Sequence, residues 1–216
     1  MSALHEMKNK PGKEYLHPLI VRITHWLNFI ALAIMVASGL RIFNASPLFD
    51  YKFPKWILLG GWLGGARLWH FAAMWIFFFN GVIAVTYNIL SRHGRETTIF
   101  RMRDIPGVLP MIKYYLHLQK DHPKYGKYNS LQKLAYTSTP FLAIGVTLSG
   151  LVMYLPVQLA PLTWLVGGYD FARWLHFFFM AALVFFFLGH LFMVSISGWW
   201  NFWSMISGWK RNEGKT

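Results

Sequence analysis

Four apolar runs dominate this sequence, and each is long enough to cross a lipid bilayer. A helix needs about 20 predominantly apolar residues to span the hydrocarbon core. The runs extend from about Pro18 to Leu40, Leu68 to Leu90, Leu131 to Tyr154 and Phe171 to Ile196. Runs of this length rule out a water-soluble enzyme fold, a fibrous chain and a disordered one. Composition agrees: only 13% of residues are charged and 55% are hydrophobic, where a soluble domain carries about 25% charged residues. The first run is too long for a cleavable signal peptide and has no small-residue cleavage site behind it. The predicted fold is an all-α membrane protein, a single domain over residues 1–216 built as a four-transmembrane-helix bundle.

The charged loops orient that bundle. The leader holds Lys8, Lys10 and Lys13, and the tail holds Lys210, Arg211 and Lys215. The loop between the second and third runs holds Arg92, Arg95, Arg101, Arg103, Lys113, Lys120, Lys124 and Lys127. The loop between the first and second runs holds four, Arg41, Lys52, Lys55 and Arg67, and there is no Lys or Arg between Leu155 and Asp170. Lys and Arg stay on the cytoplasmic side of a bacterial inner membrane. Both termini and the long middle loop are therefore expected in the cytoplasm. The net charge of +13 is then a topology signal, and no nucleic-acid partner is needed to explain it. Trp56, Trp62, Trp164, Trp199, Trp200, Trp203 and Trp209 fall near the run ends, as belt aromatics do. Two further stretches are expected to lie along the membrane surface, about 104–119 and 199–209. In the first, Ile105, Val108, Leu109, Ile112, Tyr115 and Leu116 share one helical face.

Cysteine is absent. That excludes disulfides, iron–sulfur clusters, thiolate zinc sites and covalently attached haem, all of which need Cys. Histidine is then the obvious metal ligand, and four of the nine fall inside the apolar runs: His25, His70, His176 and His190. An ionisable side chain within a membrane helix is costly and marks function by default. The remaining five, His5, His17, His93, His117 and His122, read as solvated. By depth, His25 and His190 lie toward the cytoplasmic side, and His70 and His176 toward the outer side. His176 and His190 are 14 residues apart (190 − 176). That is nearly four whole turns, so one helix presents both rings on one face about 21 Å apart.

Two imidazoles at each depth suit a six-coordinate haem b. Zinc wants four ligands, and no carboxylate sits in the runs to complete them. The plainer alternative is a His pair hydrogen-bonded between helices. An Arg precedes three of these histidines by three positions: Arg22, Arg67 and Arg173. Each shares a helix face with its His, one turn nearer the surface. There a guanidinium can snorkel to water and pair with a haem propionate, or simply end the helix. Gly39, Gly81, Gly145, Gly150 and Gly189 offer room either for a flat macrocycle or for close helix packing.

The chain resembles the cytochrome b subunits of membrane-bound respiratory oxidoreductases. That group includes the gamma subunit of formate dehydrogenase and the cytochrome b subunits of thiosulfate reductase and nickel–iron hydrogenase. The resemblance covers about Val21 to Gly208. It rests on R-I-T-H-W at Arg22–Trp26, L-W-H at Leu68–His70, D-I-P at Asp104–Pro106, G-K-Y-N-S-L-Q-K at Gly126–Lys133, L-S-G at Leu148–Gly150, and the His176/His190 spacing.

The resemblance implies two haem b groups, an inner one on His25 and His190 and an outer one on His70 and His176. It also implies a quinone pocket beside the inner haem, formed by Asn129, Gln132 and His190. In the formate dehydrogenase pattern a Gly lies between that Asn and Gln; here Ser130 and Leu131 fill the gap. Read from the residues alone, Asn129 and Gln132 can hydrogen-bond a quinone carbonyl, or can serve as an N-cap and its neighbour. Tyr128 and Lys133 are weaker quinone candidates.

The expected role is electron transfer between an iron–sulfur, molybdenum or nickel–iron partner on the outer face and membrane quinone. No nucleophile, acid–base pair or phosphate loop is present, so substrate chemistry would belong to that partner. The competing expectation is a self-contained cytochrome of the superoxide oxidase type, with Lys52, Lys55 and Arg67 drawing an anion to the outer face.

Overall fold

A computed structural model describes residues 9–10, 13–91, 99–121, 123, 129–196 and 198–211. The chain is an all-α membrane protein. Its four long helices are α1 (Leu19–Ala45), α2 (Leu63–Leu90), α4 (Ser130–Tyr154) and α6 (Tyr169–Ile196). All four are long and apolar enough to cross a membrane. Three shorter helices, α3 (Val108–Tyr115), α5 (Ala160–Leu165) and α7 (Trp199–Ser207), lie between or after them. Three short strands complete the described chain: β1 (Asn9–Lys10), β2 (Lys13–Tyr15) and β3 (Trp209–Arg211).

The long helices keep their backbone and hydroxyl groups satisfied without water, as hydrocarbon requires. Thr24 donates to the Ile20 carbonyl, Ser38 to Ile34, Thr147 to Ala143 and Ser149 to Gly145, each one turn back. Their outward faces are apolar and bare of protein, as at Leu68 and Phe185, where lipid tails would lie. Pro140 sits inside α4 without ending it.

The predicted spans hold, with two extensions. The first helix runs on to Ala45, and the second begins at Leu63 instead of Leu68. Gly64 and Gly65 hide that start from the sequence pattern, because glycine is a weak helix former. The expected surface stretch 104–119 is a 3-10 turn, Met102–Gly107, followed by α3. The stretch 199–209 contains α7.

The contacts gather into two compact units, Met1–Ala84 with Phe187–Thr216, and Val85–Phe186. In the first, Ala31 of α1 and Ala66 and Ala73 of α2 are buried. A polar link joins the two helices, Asn80 Nδ2 donating to the Thr24 carbonyl at 2.7 Å. Asn44 pins the following loop by exchanging two hydrogen bonds with the Phe53 backbone. The strands form one antiparallel sheet in the order β1-β2-β3, pairing Lys13 with Arg211 and Tyr15 with Trp209. This joins the leader to the tail, and the apolar runs give no sign of it.

The second unit holds α3, α4, α5 and the first part of α6. Asp104 accepts from the Arg101 backbone N–H and from the Lys133 ammonium, the latter at 2.8 Å. This ties the 3-10 turn to the first turn of α4. The ion pair is largely shielded from solvent, and the Lys133 ammonium holds the Asp104 carboxyl below its ordinary range.

Candidate haem-binding site

The first unit brings His25 and His190 together. Their ring centroids stand 6.0 Å apart with the planes inclined at 63°. A metal–imidazole bond is about 2 Å long, so two rings sharing one metal would have their centres about 6 Å apart. About one turn along each helix, Phe29 and Phe187 pack on each other with centroids at 5.6 Å. The setting is apolar, as a haem edge requires.

Arg22 lies three residues before His25. Its guanidinium donates to the Ile206 carbonyl near the end of α7. Its Nε is buried and has no hydrogen-bond partner among the described residues, and the same is true of Asn28 Oδ1. An orphaned buried donor one turn from a candidate ligand fits an anion absent from the protein itself, such as a propionate. Trp26 Nε1 donates to the Met205 carbonyl, holding α7 against the foot of α1.

His70 belongs to the same unit. Its Nδ1 lies 3.0 Å from the Met35 carbonyl and 3.2 Å from Ser38 Oγ. A carbonyl can only accept, so Nδ1 carries the proton and the lone pair falls on Nε2, the nitrogen offered to a metal. In the second unit His176 is held likewise, with Nδ1 at 2.9 Å from the Val146 carbonyl and 3.3 Å from Ser149 Oγ. Both rings are therefore oriented by the neighbouring helix, as metal-binding histidines usually are.

The glycines divide by role. A Cβ on Gly39 would lie 3.3 Å from His70 Cε1, and one on Gly150 would lie 3.1 Å from His176 Cε1. These two make room for the imidazole edge. Gly145 makes room for the Phe179 ring, and a Cβ on Gly81 or Gly189 would meet nothing.

The other candidates are placed as follows. Arg67 is exposed, and Arg173 pairs with Asp170 at 3.6 Å. Asn129 and Gln132 form a reciprocal cap at the start of α4. Gln132 N–H donates to Asn129 Oδ1, and the Asn129 N–H donates to Gln132 Oε1. Asn129 Nδ2 also donates to the Tyr115 hydroxyl. Burial pushes the Tyr115 phenol up. Gln132 Nε2 is the one amide group of the pair without a hydrogen bond among the described residues. Tyr128 lies outside the described residues. Sequence reasoning missed Ser38 and Ser149 as histidine partners, although the repeated S-G-L triplet marked the spot. Among the described residues no group of three or more His, Cys, Asp or Glu side chains converges as a metal site. The His25–His190 pair offers two imidazoles, a donor set that would suit haem better than a tetrahedral metal ion.

A profile of the prokaryotic cytochrome b561 family matches residues 16–208, a range that contains all four histidines. The chain belongs to that family. This cytochrome b561 family member is thus a multi-pass bacterial membrane protein that carries haem b and transfers electrons. The expected membrane cytochrome b subunit agrees with it. It is also 43% identical over 181 residues to a protein of Azospira oryzae provisionally named protein-methionine-sulfoxide reductase subunit YedZ1. The alignment takes in 84% of this chain and 90% of that relative.

Proposed function

We propose that the protein is a two-haem membrane subunit of a respiratory oxidoreductase, formate dehydrogenase gamma-like in plan. It would move electrons between a catalytic partner on the outer face and membrane quinone. The observation that carries this reading is the 6.0 Å approach of His25 to His190. His25 and His190 would hold the inner haem, while sequence depth and family resemblance assign His70 and His176 to the outer one. Bound haem supplies reversible one-electron transfer.

The protein's own residues do the rest. Ser38 and Ser149, with the Met35 and Val146 carbonyls, fix the imidazole tautomers. Arg22, Arg67 and Arg173 meet the propionates, and the orphaned Arg22 Nε supports that role best. The aromatic and aliphatic lining excludes water. Quinone would be met by Asn129, Gln132 and His190, with the Gln132 amide N–H₂ as the available donor. Both termini would face the cytoplasm.

A partner subunit carrying iron–sulfur, molybdenum or nickel–iron chemistry would supply or take the electrons. The name of the Azospira oryzae relative supports a subunit role and adds a methionine-sulfoxide reductase to the candidate partners. The test is purification in mild detergent, followed by a reduced-minus-oxidised spectrum and identification of copurifying proteins. Two b-type components and a stoichiometric redox partner are expected. A colourless sample rejects the reading. A protein that oxidises superoxide without any partner favours the self-contained cytochrome instead.

A further inference from the structure

The two units contain the same histidine clamp, built twice with one change of residue, Met35 for Val146. On α1 stand Met35, Ser38, Gly39 and Leu40; on α4 stand Val146, Ser149, Gly150 and Leu151. Opposite the first set, α2 carries Ala66, Arg67, His70 and Phe71. Opposite the second, α6 carries Ala172, Arg173, His176 and Phe177. Helices α2 and α6 are each 28 residues long, and both their ends are related by a shift of 106 (169 − 63 and 196 − 90). Ala66 and Ala172 are both fully buried.

The contacts repeat as faithfully as the letters. In each clamp Nδ1 lies within hydrogen-bond distance of a carbonyl and of a serine Oγ. In each, a glycine leaves the ring edge no room for an added Cβ without a shift of a few tenths of an ångström.

The serine has a definite polarity. Ser38 donates its hydroxyl proton to the Ile34 carbonyl at 2.6 Å, and Ser149 donates its own to Gly145 at 2.7 Å. With that proton committed, the hydroxyl can turn only a lone pair to the imidazole. Each Nδ1–H is thus shared between two acceptors. Two acceptors draw the proton further from the ring than one and leave the imidazole a stronger electron donor through Nε2. A stronger donor favours the ferric over the ferrous state.

We infer that the two helix pairs, α1 with α2 and α4 with α6, carry copies of one ligand-holding device, and that Ser38 and Ser149 are equivalent positioning residues, each lowering the potential of the haem that its own histidine binds. The inference rests on the ligand assignment proposed above. Its signal in the sequence is the repeat itself, in which the S-G-L triplet recurs opposite A-R-x-x-H-F.

The experiment is a redox titration of full-length detergent-purified protein, followed at the b-type alpha band. The proteins compared are wild type, Ser38→Ala, Ser149→Ala and the double variant, with His70→Ala and His176→Ala as references. Ser38→Ala is expected to raise the potential of the component that His70→Ala removes, at unchanged haem content. Ser149→Ala should do the same for the component that His176→Ala removes, and the double variant should shift furthest. Ser38→Thr and Ser149→Thr keep the oxygen and should keep the wild-type potential. If the alanine variants lose haem, the threonine variants and their spectra decide the matter. Unmoved potentials, a shift confined to the component that survives the histidine substitution, or threonine variants that behave like alanine would each overturn the inference. Failure of the ligand assignment looks different: it would appear as histidine variants that retain both components.

Discussion

The imidazoles of His25 and His190 meet at 6.0 Å between centroids, although 165 residues separate them in the chain (190 − 25). One comes from the first turns of α1 and the other from the last turns of α6. No local feature of either helix requires this approach, and two imidazoles left facing each other in an apolar setting gain little. The inner haem proposed above would account for it.

Replacing either ring should therefore remove the same haem. His25→Ala and His190→Ala are each expected to leave about half the wild-type haem content, measured by pyridine haemochrome, with the same spectral component missing from both. His190→Ala should also abolish quinone-coupled reduction, whereas His70→Ala should spare the inner component. Different missing components in the first two variants would break the pairing.

The Asn129–Gln132 cap calls for substitutions that separate folding from quinone binding. Asn129→Asp and Gln132→Glu keep the oxygens that cap α4 while exchanging the amide N–H₂ donors for a carboxylate, which in Asn129→Asp also ends the bond to the Tyr115 hydroxyl. Losing the cap itself costs about 1 kcal/mol, so alanine variants confuse the two effects. Quinol-dependent haem reduction is expected to slow in Gln132→Glu, with haem content and melting temperature unchanged. Wild-type kinetics in both conservative variants would leave the pair as a helix cap and nothing more.

The ion pair between Asp104 and Lys133 predicts a pH dependence with a fixed sign. The Asp104 carboxyl titrates below its ordinary value because Lys133 hydrogen-bonds to its charged form. A group depressed in this way stabilises the fold above its unfolded pKa, about 3.9, and loses that contribution as pH falls through the lower folded value. Asp104→Asn should cost roughly 1.5–3 kcal/mol, read as a lower melting temperature at neutral pH. The gap from wild type should close only in acid. A gap that persists below the folded pKa, or one that appears only in alkali, would contradict this account.

The two glycine contacts predict steric selectivity. Gly39→Val should displace His70, and Gly150→Val should displace His176, each diminishing the outer haem signal while the inner component persists. Gly81→Val, where an added Cβ meets nothing, should leave both haem components intact. Equal haem loss in all three would mean that general helix packing, and not the ligand clamp, had been disturbed.

Much of this molecule was readable from its letters, for identifiable reasons. A lipid-spanning helix must satisfy its own backbone and present apolar side chains, so the four spans are written in local composition. The histidines stood out because charge is rare at that depth. What stayed hidden depended on tertiary contact. Ser38 and Ser149 looked like ordinary small helix residues, since a hydroxyl that bonds its own helix is common there. Asp104 and Lys133 were both noticed, but nothing in their spacing of 29 residues (133 − 104) says that they pair. The strands that join leader and tail are too short to leave a pattern. Gly64 and Gly65 masked the start of α2 because their helix is held by packing and not by propensity.

The little sheet sets the order in which the protein can be completed. β2 lies between β1 and β3, so its far edge stays unpaired until Trp209–Arg211 have left the ribosome, after all four long helices have been made. Until then Arg22 and Trp26 also lack the α7 carbonyls they bond to in the finished fold. The foot of α1 is laid down before the other three long helices and fastened only after them.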